Sequence, residues 1–488
     1  SWIERLAPPV AVAGLILLLI WSAATILQPR HEPEESPNPG ATAQASPEKG
    51  APSAPAPVVA GKTPVPSSRT AVQPAVRPAL AARTSGAEGE PAAAPTGATT
   101  EPKAAEGETP RPLEVPPGAL GVVGKADGIV LRAKPEGQPR WERLAPRAAL
   151  KEDDRLVGLA PYRTNLQLGE VPLDLIRDTE IRARKAEEGS AARFELVHGR
   201  VVVHAPAPAA PIGVDFARSH LKITPPAGRP LGLERLHHRP RGETQPPPPT
   251  LRLYVPEGET TIEVASQSAT ISGPGAITFQ APKTLSEPEP GPLPAWVTET
   301  APSAVDQELG QQFAQYFKEG YPLMTSLVEA LEDDRKEIKR LAIINLGATG
   351  HLEEVVTALR RKGDPVARRA AITVLREMIG RGADAAKEVR LQLEASADEA
   401  WASTIEKLLI GFSQDEATKE DTYAKLIAQL RSPDLSVREL AIENLQTLTH
   451  RDAMNYEPDL PELGPGLKNW QDLLQHKELP PKTTEEKD

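Results

Sequence analysis

The chain has 488 residues, with 53 prolines, 35 glycines, six each of Phe, Tyr and Trp, and no cysteine. Proline is at about twice its average share while glycine is ordinary, which points to an extended linker within an otherwise folded chain. The lack of cysteine excludes a disulfide scaffold, a thiolate-held zinc or iron–sulfur centre and a thiol nucleophile. A net charge of −11 speaks against nucleic acid as the main partner.

Residues 6–27 carry no charge and are long enough for a transmembrane helix. Pro8 and Pro9 fall in its first turn, where proline removes no needed donor. A cleaved signal peptide is the alternative, with Arg5 ahead of the apolar run and small residues at Ser22 and Ala24. Either way the bulk of the chain is expected outside the cytoplasm, in the periplasm or cell envelope. The chain begins at Ser1, so further residues are expected upstream. Residues 28–118 hold 19 prolines among Ala, Thr, Ser and Glu, without apolar periodicity. Such a segment buries too little surface to offset chain entropy and is expected to be a disordered stalk.

From 119 to 284 the apolar period is two. Short strands are predicted at Val122–Val123, Ile129–Leu131, Leu166–Leu168, Phe194–Val197, Val201–Val203, Leu251–Val255 and Ile277–Phe279, with turns between them. No helical pattern intervenes, so the expectation is an all-β sandwich or meander with a core including Trp141, Phe194, Val201, Val203 and Leu253. From 303 to 476 the period becomes helical. Ala342, Ile343 and Leu346 recur as Ala371, Ile372 and Leu375 and as Ala441, Ile442 and Leu445, with a weaker copy at Ile405 and Leu408. Asp333, Asp364 and Asp434 stand between paired helices as breakers and caps. A repeat of roughly this length in helix pairs predicts a short all-α solenoid. Residues 477–488 read as a disordered tail. The predicted fold class is thus multidomain: a transmembrane helix, a disordered linker, an all-β domain and a separate all-α solenoid.

The β region resembles the FecR-type domain of cell-envelope signalling proteins. The resemblance is carried by Gly124, Trp141, the 150–156 segment, Gly199 within 196–203, and the Tyr254–Gly258 turn. The helical region resembles HEAT-like repeats. Its ending, with Tyr456, Asp459 and Trp470, looks like a closing motif of repeat proteins of planctomycete type. Membrane-anchored anti-sigma and envelope regulators of that type imply an anti-sigma segment ahead of Ser1 and a sigma factor as partner.

Chemistry-bearing residues are scattered. His198 and His204 share one strand face; a metal site there lacks a third ligand, and a solvated face is the alternative. His237 and His238 lie in an Arg- and Pro-rich stretch that reads as a basic surface loop. Arg360, Arg361, Arg368 and Arg369 form a basic patch across one turn, the candidate partner-binding site. No catalytic, cofactor or metal site is assigned, no enzyme activity is expected and no cofactor is implied. The functional expectation is a membrane-anchored, extracytoplasmic sensor or regulator of FecR (anti-sigma-like) type that acts by protein–protein binding. The alternative is an envelope scaffold without a transcriptional role.

Overall fold

The computed structural model describes residues 114–481, apart from 125–127, 134–140, 206, 238–240, 244, 246, 283 and 319. The expected membrane span, most of the linker and most of the tail lie outside the described residues. Among the described residues no helix is long and apolar enough to cross a membrane.

Seventeen strands between Gly121 and Pro290 join in one hydrogen-bonded sheet among the described residues. Two long neighbours organise it, Val171–Arg184 and Ala192–His204. The first half of Val171–Arg184 pairs with Arg163–Leu168, and its second half with Arg155–Gly158. Between the halves the register with Ala192–His204 shifts, from Ile176 opposite Arg200 to Glu180 opposite His198. Thr179 ties the break together, its Oγ1 accepting from Arg200 N at 2.8 Å and lying 2.6 Å from Ile176 O. Gly199 sits there with φ of 92°, and a Cβ in its place would run into Thr179.

The bend folds the sheet on itself. One layer runs through Pro230–Leu236, Thr250–Val255 and Gly275–Gln280. The other runs through Ile212–Phe216, Ser219–Thr224, Glu259–Val264 and Gln267–Ser272. Between them lie Phe194, Leu196, Val201, Val203 and Leu253. Phe216 meets Phe279 edge to face at 6.1 Å across the gap.

The helices begin with α1 (Ala295–Thr298) and α2 (Ala304–Ala314), the latter capped by Ser303. Helix pairs follow: α3 (Leu323–Leu331) with α4 (Lys336–Ala348), α5 (Leu352–Leu359) with α6 (Pro365–Arg381), and α7 (Ala383–Ser396) with α8 (Glu399–Ile410). The one-turn α9 (Gln414–Ala417) leads into a fourth pair, α10 (Glu420–Gln429) and α11 (Leu435–Thr449), and α12 (Gly466–Gln475) closes the stack with the buried Trp470. Asp364 and Asp434 cap α6 and α11. The recurring Ala, Ile and Leu positions on α4, α6 and α11 are buried. Gly347 lets α4 and α6 approach closely, since a Cβ there would meet Val374.

The expected division into an all-β domain and a separate all-α solenoid is corrected here. The sheet is mixed, because Ala192–Glu195 pairs in parallel with Ile212–Asp215. Strands and helices also belong to one compact unit with a shared core. Val130 and Leu156 fill the sandwich, while Ile129, Leu131, Val157 and Leu159 on the same two segments pack with Phe313, Leu327, Ile338 and Leu346 of the helices. A strand buried on both faces shows an unbroken apolar run. Ile129–Leu131 and Leu156–Leu159 are such runs; short strands alone do not require them.

One core predicts one cooperative transition. Tryptophan fluorescence and circular dichroism should melt together; two separated transitions would show independent parts. Ile372→Asp places an unpaired charge in the stack and should cost at least about 4 kcal/mol, read from the shift in urea midpoint.

Candidate functional site at the junction of sheet and helices

The four arginines of the basic patch part company. Arg360 is exposed and lies over the Trp401 ring at 5.2 Å. Arg369 is exposed too, 3.8 Å from Glu439. Arg361 grips both carboxylate oxygens of Glu332 at 2.6 Å. Arg368 is 1% exposed and binds Glu439 at 2.8 Å, Asp459 at 2.7 Å and the Arg361 carbonyl at 2.7 Å. It ties α6 to α11 and to the segment before α12, with its charge satisfied inside the protein.

The richest polar constellation lies where the helices meet the sheet. The second helix of three pairs points its C-terminal end at the strands. On α4, Asn345 is fully buried and clamps one residue of the strand connection. Its Oδ1 accepts from Ala160 N at 2.9 Å and its Nδ2 donates to Ala160 O at 2.8 Å. Just past α4, the Thr349 carbonyl accepts from Trp141 Nε1 at 2.7 Å. At the end of α6, the Arg381 carbonyl accepts from Arg235 at 3.4 Å. At the end of α8, the Ile410 carbonyl accepts from Gly242 N at 3.1 Å. Carbonyls left without helical partners at the C-terminal turn are thereby satisfied by the sheet side. Tyr162 and Arg143 add bonds to the Gly310 and Phe317 carbonyls at 2.8 and 3.0 Å. Trp141, expected in the sandwich core, is therefore a junction residue, packed against the helical core.

Within this junction lies a cavity of about 340 Å³. Trp141, Arg155, Glu180, His198, Arg235 and Arg381 line it, together with the first residues of α7. Arg155 binds both oxygens of the buried Glu180 and stacks over Trp141. His198 is 1% exposed, with Nδ1 3.5 Å from Glu180 and Nε2 without a partner. His237 lies beside it, ring centroids 6.4 Å apart, its Nε2 also unpartnered. Burial, reinforced by Arg381, His237, Arg235 and Arg155, pushes the His198 imidazole well below its ordinary range. Burial, with Arg235 and Arg381, pushes His237 down to about 3. On the far side of Arg381, the Glu377 carboxyl is pushed up by burial and by nearby Asp178. Among the described residues no three or more His, Asp or Glu gather as a metal site.

His198, expected on a solvated strand face, is buried here instead, and His237, expected in a basic surface loop, is half-buried beside it, while His238 lies outside the described residues. Strand alternation held the signal for His198, which continues the buried row Ala192, Phe194, Leu196. The sequence carries no signal that His198, at the end of that row, meets the ends of α4 and α6. His204 lies apart from this cavity and pairs with Asp174 at 2.8 Å.

Comparison with protein-family models finds no match, and comparison with curated proteins finds none either. Among solved structures, the chain is similar to a protein from Parabacteroides distasonis described as a candidate anti-sigma factor, at 10% identity and a TM-score of 0.21. That similarity spans 27% of this chain and 57% of the other.

Two outcomes follow. Asn345→Ala strands a buried N–H and a buried carbonyl of Ala160 and should cost about 2–5 kcal/mol in urea unfolding; a loss below about 0.5 kcal/mol would show that the clamp is idle. The second concerns pH. A histidine held neutral in the fold takes up a proton near pH 6.5 once unfolded, so stability is full above that pH and falls as pH drops below it. Each such histidine contributes a slope of up to about 1.4 kcal/mol per pH unit. Comparing unfolding free energies at pH 7.5 and 5.5, His198→Asn should lose less stability on acidification than the parent; equal losses would place His198 in a protonatable site.

Proposed function

We propose that this chain is a regulatory protein that acts by binding a protein partner, and that the junction of sheet and helices couples the two surfaces it presents. One observation supports this reading above others. The helix ends reach the sheet through single, directional polar contacts, at Asn345, Thr349, Arg381 and Ile410. On this reading a change in how the sheet packs would be felt at the base of three helix pairs, which would let binding on one side bias the other. On this reading the free polar surface of the stack, including Arg360 and Arg369, faces the partner. The sigma factor implied by the sequence resemblance is the partner class to test first.

The test is genetic and biochemical together. In the source organism, deletion of the gene should shift transcription of a defined set of promoters, and Asn345→Ala at the native locus should shift the same set. The full chain, with any upstream residues of the gene, should bind one of the organism's sigma factors in a two-hybrid assay. Unchanged transcription in both strains would overturn the regulatory reading.

A further inference from the structure

The junction cavity gathers three arginines whose hydrogen-bonding capacity is partly unmet: Arg155 is paired with Glu180 and Arg381 with Glu377, while Arg235 bonds to two backbone carbonyls. Arg235 spends one terminal nitrogen on the Val197 carbonyl and the other on the Arg381 carbonyl, and its Nε has no partner. Arg381 reaches Glu377 at 3.2 Å through one terminal nitrogen, and its Nε is likewise buried without a partner. His198, fully buried at the same cavity, leaves Nε2 unpartnered. Two buried guanidinium N–H groups without acceptors in one place are uncommon, because each costs desolvation without return.

The cavity wall adds a helix N-terminus. The fourteen-residue α7 starts at Ala383, and its N-cap is Gly382, whose lack of a side chain leaves the first turn uncapped. Open N–H groups and the positive end of the helix dipole favour an anion there. The acids at the cavity are engaged or outlying: Glu180 is bound by Arg155, while Asp384 and Glu388 stand exposed. Arg235 is held below its ordinary range by burial and by Arg381, against an opposing pull from Glu195 and Glu180.

We propose that this cavity binds one small oxyanion, of carboxylate or phosphate type, between Arg235, Arg381 and the N-terminus of α7. The oxyanion accepts from the two guanidinium Nε–H groups and from the α7 backbone. His198 lines the site without donating to the anion: with its proton on Nδ1, which faces Glu180 at 3.5 Å, Nε2 is left as an acceptor. Bound at the contact between α6, α7 and the strand carrying Arg235, the anion tightens the junction. Its role as an effector rests on the regulatory reading; its binding does not, and the experiment reads binding alone.

Isothermal titration calorimetry on the full chain, at constant ionic strength against chloride, uses inorganic phosphate, sulfate and acetate as probes. The expected result is one site per chain for at least one probe, weakened about tenfold or more in Arg381→Gln and in Arg235→Gln. Asp384→Asn, which removes an acid from the rim, should bind equally or more tightly. Circular dichroism screens each variant for folding. If either arginine variant fails to fold, crystals of the parent grown with selenate decide, through an anomalous peak within hydrogen-bond reach of Arg381 and Arg235. No binding of any probe up to about 10 mM, undiminished binding in both folded arginine variants, or selenate found elsewhere would overturn the proposal. If anion binding is found while transcription is indifferent to the gene, the site stands and the regulatory reading falls.

Discussion

Two short strands, Val130–Ala133 and Arg155–Gly158, together with the residues flanking them, are buried on both faces, and the architecture depends on that. One face closes the sandwich through Val130 and Leu156; the other, through Ile129, Leu131, Val157 and Leu159, seats the helices. Removing the helices would expose that second row to water, at a cost of roughly 25 cal/mol for each Å² of apolar surface. Sheet and stack therefore stabilise each other, and neither finishes its own core. The polar contacts along the seam do a different task. Hydrophobic contact is non-directional, whereas the Asn345 amide fits one residue in one orientation. Burial holds the two parts together and the amide sets their register.

The bend in the long strand pair is what brings that surface to the helices. With Gly199 at positive φ and Thr179 bonded across the break, the halves of Val171–Arg184 serve different layers. Glu180 and His198, paired in register just beyond the break, fall at the seam as a result. The location of the polar cavity thus follows from one irregularity in the ladder.

How much of this could be read from the residues varies with the range of the interaction. Alternation placed Phe194, Val201, Val203 and Leu253 in the sandwich, and the recurring Ala, Ile and Leu triplets on helices, because both patterns are local. The double burial of Ile129–Leu131 was visible as an unbroken apolar run, yet a run does not name what covers it. Arg368 looked like surface because arginines cluster around it in sequence; its partners Glu439 and Asp459 lie 71 and 91 residues away. His237 does lie in a loop, just past Pro230–Leu236, but looked exposed for the same reason. Buried polar groups are chosen by long-range geometry, and period and composition carry little of it.

Stacks of helix pairs usually lengthen or shorten freely, since each pair touches only its neighbours. This one is measured against a second object. Thr349, Arg381 and Ile410, at the ends of successive pairs, each meet a different residue of the sheet side, namely Trp141, Arg235 and Gly242. A pair inserted among them would carry every later end forward by two helix spacings, roughly 16–20 Å, away from its donor. Duplication inside the array is therefore closed to this protein. Growth is open only beyond α11, where α12 and Trp470 now form the lid, and variation in repeat number among descendants of this chain belongs at that end.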